Sequence, residues 1–338
     1  MSTSKILLVC AIGSTLLVGC AKKPRGNGNE PAFLPSSTPK PAPQVPPRVD
    51  TPVDQELRRS AAAELTRAFA SADPVVRANT TEATQRGLGP MGADRIRLAL
   101  DDKAPLVRFS GAMAAGTLKL AEVRPKLLSL VNDPSPTVQV GVRYALHMLG
   151  EFRYSHDLEA FAQHTDPRVR ANTVLALGLL GDQSAIKILR VLERDPNPAV
   201  RLQALEALYR LGDESALEKL VTGTISKYVD DQIICLLALS GRKDGRVARV
   251  LEGKLTDDYP EVSLAAARSL AVVGSDAGMG VGLKFATSRE ARQRGMAAMV
   301  LGEIGRPDAQ PHLERLLRDN DQAVRLAAAA AILRLRQA

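Results

Sequence analysis

Arginine recurs at a fixed spacing of 31 residues along most of the chain. The series runs through nine positions, and six of them are arginine: Arg77, Arg108, Arg170, Arg201, Arg294 and Arg325. A guanidinium group can hold a carboxylate or a phosphate through paired hydrogen bonds. A catalytic group is needed once, so this recurrence favours a structural role. Acids precede most of these arginines by four or six residues, as Asp166 precedes Arg170. We therefore expect a ladder of charge-assisted hydrogen bonds between repeats.

Other groups that could support catalysis or metal binding are scattered. His147, His156, His164 and His312 lack the spacing of metal ligands. The segment 278–284 is rich in glycine, but it lacks the Gly-Lys-Ser/Thr ending of a phosphate loop and is predicted to be a loop between repeats. Cys235 lies among apolar residues and is predicted to be a buried thiol. No catalytic residue, metal or cofactor is predicted, and the chain is not expected to be an enzyme.

The elements that position the arginines follow the same period. Proline often stands three residues before the arginine, preceded by Asp73, Ser135, Asp166 or Asn197. A polar N-cap followed by proline is typical of a helix start. Glycine stands eleven residues after the arginine in most later repeats, where it can end the helix in a left-handed conformation. This second helix of each repeat is predicted to span about 13 residues, and a shorter first helix precedes it.

Stacked helix pairs are the fold that this pattern predicts. Alanine and leucine fill two adjacent columns of the second helix, on one side of a 3.6-residue period. A single pair cannot bury that side, so the pairs must stack. The fold class is an all-α, right-handed solenoid of nine 31-residue repeats over residues 53–338, forming a rod or arc of roughly 70–90 Å. The sixth repeat departs from the pattern at Val229, Gln232 and Lys243, and an irregularity is expected there.

These repeats resemble a known family. The run 166–170, the alanine and leucine columns and the closing Leu180-Gly181-Asp182 are similar to the short HEAT-like repeats of phycobilisome lyases. The resemblance covers about residues 53–338. It implies an α-solenoid, but the same repeat occurs in scaffolds, regulators and bilin-attaching enzymes. A bilin lyase or isomerase is therefore one alternative function, and it rests on the resemblance alone.

One stripe on the second helices is predicted to bind a partner protein. Positions two, five and nine residues after the arginine column point away from the core direction, towards the concave face of the expected arc. Repeats two to four place apolar residues there, and charged residues flank them in the first and fifth repeats at Glu82, Arg86, Glu206 and Arg210. An apolar patch with a charged border is typical of an interaction surface. Burial by tight curvature is the alternative. The predicted site comprises Met113, Tyr144, Met148, Leu175, Leu179, Glu206 and Arg210.

Charge and composition limit the other classes of partner. The chain has a net charge of +8, of which residues 1–52 carry half. A nucleic-acid binder concentrates positive charge on its folded part, so nucleic acid is not an expected partner. Aromatic residues make up only 3% of the sequence and tryptophan is absent, which suits a core of small side chains between stacked helices.

The amino terminus is predicted to contain a targeting signal and a membrane anchor. Lys5 and a short apolar run precede Leu17-Val18-Gly19-Cys20, which resembles the lipobox of bacterial lipoproteins. The resemblance implies a signal peptide over 1–19 and lipidation of Cys20. Ala21 then implies the outer membrane, facing the periplasm, in a Gram-negative cell. The proline-rich segment within 20–52 is expected to be an extended spacer, with a docking ligand as the alternative.

Together these features favour a membrane-anchored scaffold in the cell envelope that binds an unidentified protein through the concave face of its solenoid. An envelope-structural lipoprotein that binds peptidoglycan or an outer-membrane complex is the other alternative.

Overall fold

The structure is a computed structural model that describes residues 53–335, and this part of the chain is helical. The predicted signal peptide, Cys20 and the proline-rich spacer lie outside the described residues. The first helices of the nine repeats are α1 (Gln55–Phe69), α3 (Ala93–Leu100), α5 (Arg124–Ser129), α7 (Leu158–Phe161), α9 (Ile186–Leu192), α11 (Glu214–Gly223), α13 (Gly245–Gly253), α15 (Met279–Phe285) and α17 (Gln310–Leu317). The second helices are α2 (Pro74–Leu88), α4 (Pro105–Leu118), α6 (Pro136–Met148), α8 (Pro167–Leu180), α10 (Pro198–Arg210), α12 (Val229–Leu239), α14 (Pro260–Val272), α16 (Ala291–Ile304) and α18 (Gln322–Arg334).

The ends of the second helices lie where the sequence pattern places them. The carboxylates of Asp73 and Asp166 and the side chain of Asn197 accept hydrogen bonds from backbone N–H groups of the first turn. Ser135 occupies the N-cap position of α6, but its side chain makes no capping hydrogen bond. The glycines predicted to end these helices all have positive φ, between 70° and 98°: Gly150, Gly181, Gly212, Gly274 and Gly305. The alanine and leucine columns are buried between neighbouring helices, as in Ala145 and Leu146.

The array closes into a ring instead of forming a rod or arc. Each second helix packs against the next, and α18 packs against both α1 and α2 of the first repeat. A turn of about 40° per repeat brings nine repeats through a full circle, so the ninth repeat meets the first as any repeat meets its successor. The expectation of a rod or arc of roughly 70–90 Å is therefore wrong.

Hydrogen bonds fix the seam where the two ends of the array meet. The guanidinium group of Arg58 in α1 donates to the carbonyl oxygens of Leu333, at 2.9 Å, and Leu335, at 3.2 Å. The side-chain oxygen of Gln310 accepts from the backbone N–H of Asp54 at 3.0 Å. The two bonds from Arg58 satisfy carbonyls at the end of α18 that would otherwise lack a partner within the helix.

The sixth repeat is irregular, as its sequence predicts. Helix α12 begins at Val229 without proline, and its N-cap residue Tyr228 provides no side-chain hydrogen bond. Helices α10 and α12 contact each other less than other neighbouring second helices, and α11 packs against both of them. The ring is therefore loosest on its inner side between the fifth and sixth repeats.

Candidate functional site

The stripe predicted to bind a partner lines the lumen, which is the space enclosed by the nine second helices. Tyr144 and Leu175 are 2% and 3% exposed, and Met113 and Glu206 are also buried. Met148, Leu179 and Arg210 are half-buried. The prediction that these residues form an exposed patch is therefore wrong. Binding of a protein partner stays a prediction, but it needs another surface.

Closure of the ring explains this burial. Nine helices spaced ~9 Å apart form a circle of roughly 13 Å radius through their axes, and each helix with its side chains takes up about 5–6 Å of that radius. Arg86 in α2 reaches Glu303 in α16 at 3.3 Å although α18 packs between the two helices, so long side chains meet within the remaining space. The hydroxyl groups of Thr117 and Tyr144, on the neighbouring helices α4 and α6, lie 3.2 Å apart, and burial raises the pKa of Tyr144. Burial also raises the pKa of Glu206, which accepts a hydrogen bond from Arg210 at 2.9 Å.

The recurrent arginines form a ladder between repeats on the outside of this lumen. In four rungs the arginine binds, through Nε and Nη2, both carboxylate oxygens of an aspartate 25 residues later, at 2.6–2.8 Å. The Nη1 group donates to backbone carbonyls of its own repeat five and six residues earlier. The four rungs are Arg77–Asp102, Arg108–Asp133, Arg170–Asp195 and Arg294–Asp319.

The acids of the ladder differ from the expected ones. Asp166 uses its carboxylate to cap α8 and to bind Arg168, and it does not bind the side chain of Arg170. Asp195 offers its backbone carbonyl to Arg201, while its carboxylate pairs with Arg170 of the preceding repeat. Each carboxylate therefore bridges two repeats. Hydrogen bonding to Arg170 holds the pKa of Asp195 below its usual range, so the pair is ionised at neutral pH.

The fifth rung closes the ring. Arg325 is the last arginine of the column, and its acidic partner is not an aspartate. Its Nε group binds Glu64 of α1 at 2.8 Å instead. Burial opposes ionisation of Glu64, but hydrogen bonds from Arg325 and Arg67 outweigh it and lower its pKa. The seam therefore repeats the chemistry of the other rungs with a different acid.

Arg201 leaves one rung open. Its Nη1 group donates to the carbonyls of Asp195 and Pro196, at 2.8 and 3.0 Å, as in the other repeats. The residue 25 positions later is Ser226, so no carboxylate is present there. Among the described residues, no acid forms a salt bridge with Arg201, and its side chain lies in an exposed position. We call this position the open rung.

The open rung lies in a cleft on the outer surface beside the irregular junction. Two of the cations there are neutralised within the chain, since Arg190 pairs with Asp213 and Lys219 pairs with Glu193. Arg194, like Arg201, has no acidic partner within the described part of the chain and is exposed. The repeat-five cleft is lined by Arg190, Val191, Glu193, Arg194, Arg201, Leu205 and Lys219.

Both charge and apolar surface are available in this cleft. Its lining has four basic residues and one acid. Val191 in its lining is 69% exposed, and Leu205 is half-buried. Exposed guanidinium groups beside exposed aliphatic side chains can bind a segment that carries both carboxylates and apolar residues. None of the partner-binding residues predicted from the sequence lies in this cleft. Arg201 does lie in it, but its sequence pattern predicts a structural role.

The histidines and the cysteine within residues 53–335 lie apart from one another or are buried. The described residues contain no cluster of three or more His, Cys, Asp or Glu residues that could hold a metal ion. His147 Nδ1 lies 2.8 Å from the hydroxyl of Ser155, which itself donates to the carbonyl of Phe152. Cys235 is buried, and burial raises its pKa to about 12, so the thiol is protonated at neutral pH.

The glycine-rich segment 278–284 is a helix rather than the predicted loop. Met279–Phe285 is α15, the first helix of the eighth repeat. A Cβ atom on Gly278 would lie 2.7 Å from the backbone Cα atom of Ala267 in α14. The glycine is needed for close packing of α15 on α14, which gives the segment a structural role.

The fold and the ladder define a class: an all-helical tandem-repeat protein held by interactions between successive units. A model of HEAT repeats matches residues 155–240 and 247–334, which together are more than half of the chain. The chain belongs to the HEAT-repeat family. None of the curated proteins compared with it matches significantly. No helix within residues 53–335 has the length and apolar character needed to cross a membrane.

Solved structures with a similar arrangement are distant in sequence. The complex of CpcE and CpcF of phycocyanin lyase from Nostoc sp. shares 19% identity with a TM-score of 0.43, over 73% of this chain and 97% of that chain. Human deoxyhypusine hydroxylase in complex with glycerol shares 18% identity with a TM-score of 0.34, over 82% of this chain and 96% of that one. These are similarities of fold and assign no activity to this chain.

Proposed function

We propose that the chain is a lipid-anchored interaction module whose repeat-five cleft binds an acidic segment of a protein partner. The open rung carries this proposal. Arg201 keeps the carbonyl contacts of a ladder arginine but has no acid among the described residues to receive its Nε and Nη2 groups. A carboxylate from a partner would fill the place that Asp102 fills for Arg77. A paired Arg–carboxylate contact combines binding energy with a defined geometry.

A peptide segment suits the cleft better than a nucleic acid. Only Arg194 and Arg201 of its cations lack an acidic partner in the described chain, which is few for a phosphate backbone. The exposed Val191 and the half-buried Leu205 offer apolar contacts that a phosphate backbone would not use. The partner segment is expected to pair one or two carboxylates with an aliphatic residue. In this function the ring binds its partner and catalyses no reaction.

The anchor and the location belong to the same proposal. Cys20 follows an apolar run and the lipobox-like residues 17–19, which supports diacylation of its sulfur. Two or more acyl chains meet the requirement for stable membrane attachment. The proline-rich residues after Cys20 would then separate the ring from the membrane. We propose that the ring captures its partner in the cell envelope, at the outer membrane in a Gram-negative cell.

Peptide binding by the full chain tests the cleft. The probe is a fluorescein-labelled peptide of about twelve residues that alternates aspartate and leucine, and its anisotropy is measured with the detergent-solubilised protein. The same peptide with asparagine in place of aspartate is expected to bind at least tenfold more weakly, a difference of about 1.4 kcal/mol. Arg201→Gln is expected to weaken binding of the aspartate peptide by a similar factor. The fold tolerates glutamine here, since Gln139 and Gln232 donate to the corresponding carbonyls in their own repeats.

Variants at corresponding positions of other repeats provide the controls. Val191→Glu places an acid in the cleft and should repel the peptide, whereas Leu98→Glu changes the same column of the second repeat at a similarly exposed site. Arg194→Gln should weaken binding, whereas Arg318→Gln, in the same column of the ninth repeat, should not. Equal binding by the aspartate and asparagine peptides would contradict the proposal, as would equal effects of each variant and its control.

Lipidation at Cys20 is tested separately from the cleft. Cells that express the full chain are labelled with an alkyne analogue of palmitate, and the protein is fractionated. The wild-type chain is expected to incorporate the label and to sediment with membranes, while Cys20→Ala should lose at least nine-tenths of the label and leave the membrane fraction. Label in Cys20→Ala equal to the wild type would disprove the anchor and leave the cleft unaffected.

A further inference from the structure

A cavity in the lumen runs along the inward face of α18. The inward columns of the other second helices mostly hold larger side chains, but α18 presents Ala327 and Ala330 there. The missing side-chain volume leaves a partly open cavity of about 590 Å³ including its mouth. Its walls come from α2, α14, α16 and α18. The enclosed part of this space is about 60 Å³, which is small and favours a short ligand.

The polar wall of this cavity carries an excess of positive charge. Three arginines and two glutamates line it: Arg86, Arg268, Arg334, Glu82 and Glu303. Glu303 lies 3.3 Å from Arg86 and 3.0 Å from Arg334, and Glu82 lies 3.3 Å from Arg86. With Arg268, the lining contains three guanidinium groups and two carboxylates, a net charge of +1.

Arg268 is the most deeply placed of the three. It is 4% exposed, and burial lowers its pKa to about 10, with a further contribution from the charge of Arg86. The group is still protonated at neutral pH. Excess charge in a water-poor cavity is unfavourable, and a bound anion would neutralise it.

The rest of the lining is mostly apolar and includes Met299, Leu326, Ala327 and Ala330, so the cavity has a charged part and a hydrocarbon part. We infer that this cavity binds a small monocarboxylate with a short aliphatic chain. The carboxylate lies among the arginines and the aliphatic chain lies along Leu326 and Ala327. This site is independent of the repeat-five cleft.

Calorimetric titration of the full chain with three six-carbon probes tests the inference. Hexanoate is expected to bind at least tenfold more tightly than hexanol, which lacks the charge, and hexylammonium is not expected to bind. Arg268→Met keeps the length and apolar bulk of the side chain but removes its charge, and it should weaken hexanoate binding at least tenfold. A buried ionic group replaced by an apolar one of similar size is often tolerated.

Two further variants keep the result decisive. Ala327→Leu retains all three arginines and fills the apolar side, so it should also abolish hexanoate binding. Val191→Glu, which blocks the cleft, should leave hexanoate binding unchanged. Equal affinity for hexanoate and hexanol would overturn the inference. So would an absence of hexanoate binding by the wild type, or full binding by Ala327→Leu.

Discussion

Removal of the ninth repeat, by ending the chain after Gly305, is expected to lower the midpoint of thermal unfolding by about 10 °C or more, or to leave the chain unfolded. In an open array, loss of a terminal repeat exposes one new end surface in place of the old one. In this ring, it uncovers the face of α16 and the faces of α1 and α2 together. It also deprives the buried Glu64 of Arg325, one of its two guanidinium partners, and a buried charge that loses a partner is destabilising. Circular dichroism during heating measures the effect.

A circular permutant is the matched control for this truncation. The carbonyl of Leu335 lies 3.2 Å from the guanidinium group of Arg58, so a short linker can join the end of the array to its start. New ends between the exposed Gly274 and the adjacent Ser275 then interrupt a loop between repeats. This permutant contains every repeat and should unfold within about 3 °C of the wild type. If the truncated chain matched the wild type while the permutant unfolded early, the closed ring would be wrong.

Gly302→Val is expected to destabilise the ring by about 3 kcal/mol or more. A Cβ atom on Gly302 would lie 2.5 Å from the Cβ atom and 2.6 Å from the Cα atom of Ala331. The neighbouring atoms belong to the backbone and first side-chain carbon of α18, so no flexible group can move aside. Helices α16 and α18 would have to separate next to the seam. Chemical denaturation reports the change in the free energy of unfolding.

Gly253→Ala controls for the helix propensity of the substituted glycine. Gly253 lies at the end of α13, its φ is not positive, and an added Cβ atom would meet nothing within 4 Å. Alanine there should stabilise the chain by a few tenths of a kcal/mol up to about 1 kcal/mol. A loss of stability at Gly253 equal to that at Gly302 would show that the close approach of α16 and α18 is not responsible.

The repeat period and the helix ends were accessible from the sequence because they depend on local groups. Proline and an N-cap residue mark the start of a second helix, and a left-handed glycine marks its end, within a single repeat. Closure depends on a small rotation added over nine packing interfaces, and no residue encodes it alone. The burial of Tyr144 and Leu175 follows from closure, so the exposed stripe was wrong for the same reason that the rod was wrong.

The arginine ladder was predicted from the sequence only in part. Its arginines were identified, but their acids were sought within the same repeat. The signal for the correct partners is in the sequence, since Asp102, Asp133, Asp195 and Asp319 each follow an arginine by 25 residues. The residue 25 positions after Arg201 is Ser226, so the open rung could also have been predicted from the sequence. Glu64 could not, because it becomes a partner of Arg325 only when the first and last repeats meet.

The seam also limits how such a chain can change over generations. A tandem array readily gains or loses whole units by duplication and deletion, since an extra unit only lengthens its superhelix. Here an added unit would separate α18 from α1, and a missing one would leave a gap between them. Once closed, the array can vary chiefly by substitution within its nine units, and a new property must arise inside a single repeat. The departures from the repeat pattern at Ser226, Val229 and Gln232 are differences of this kind.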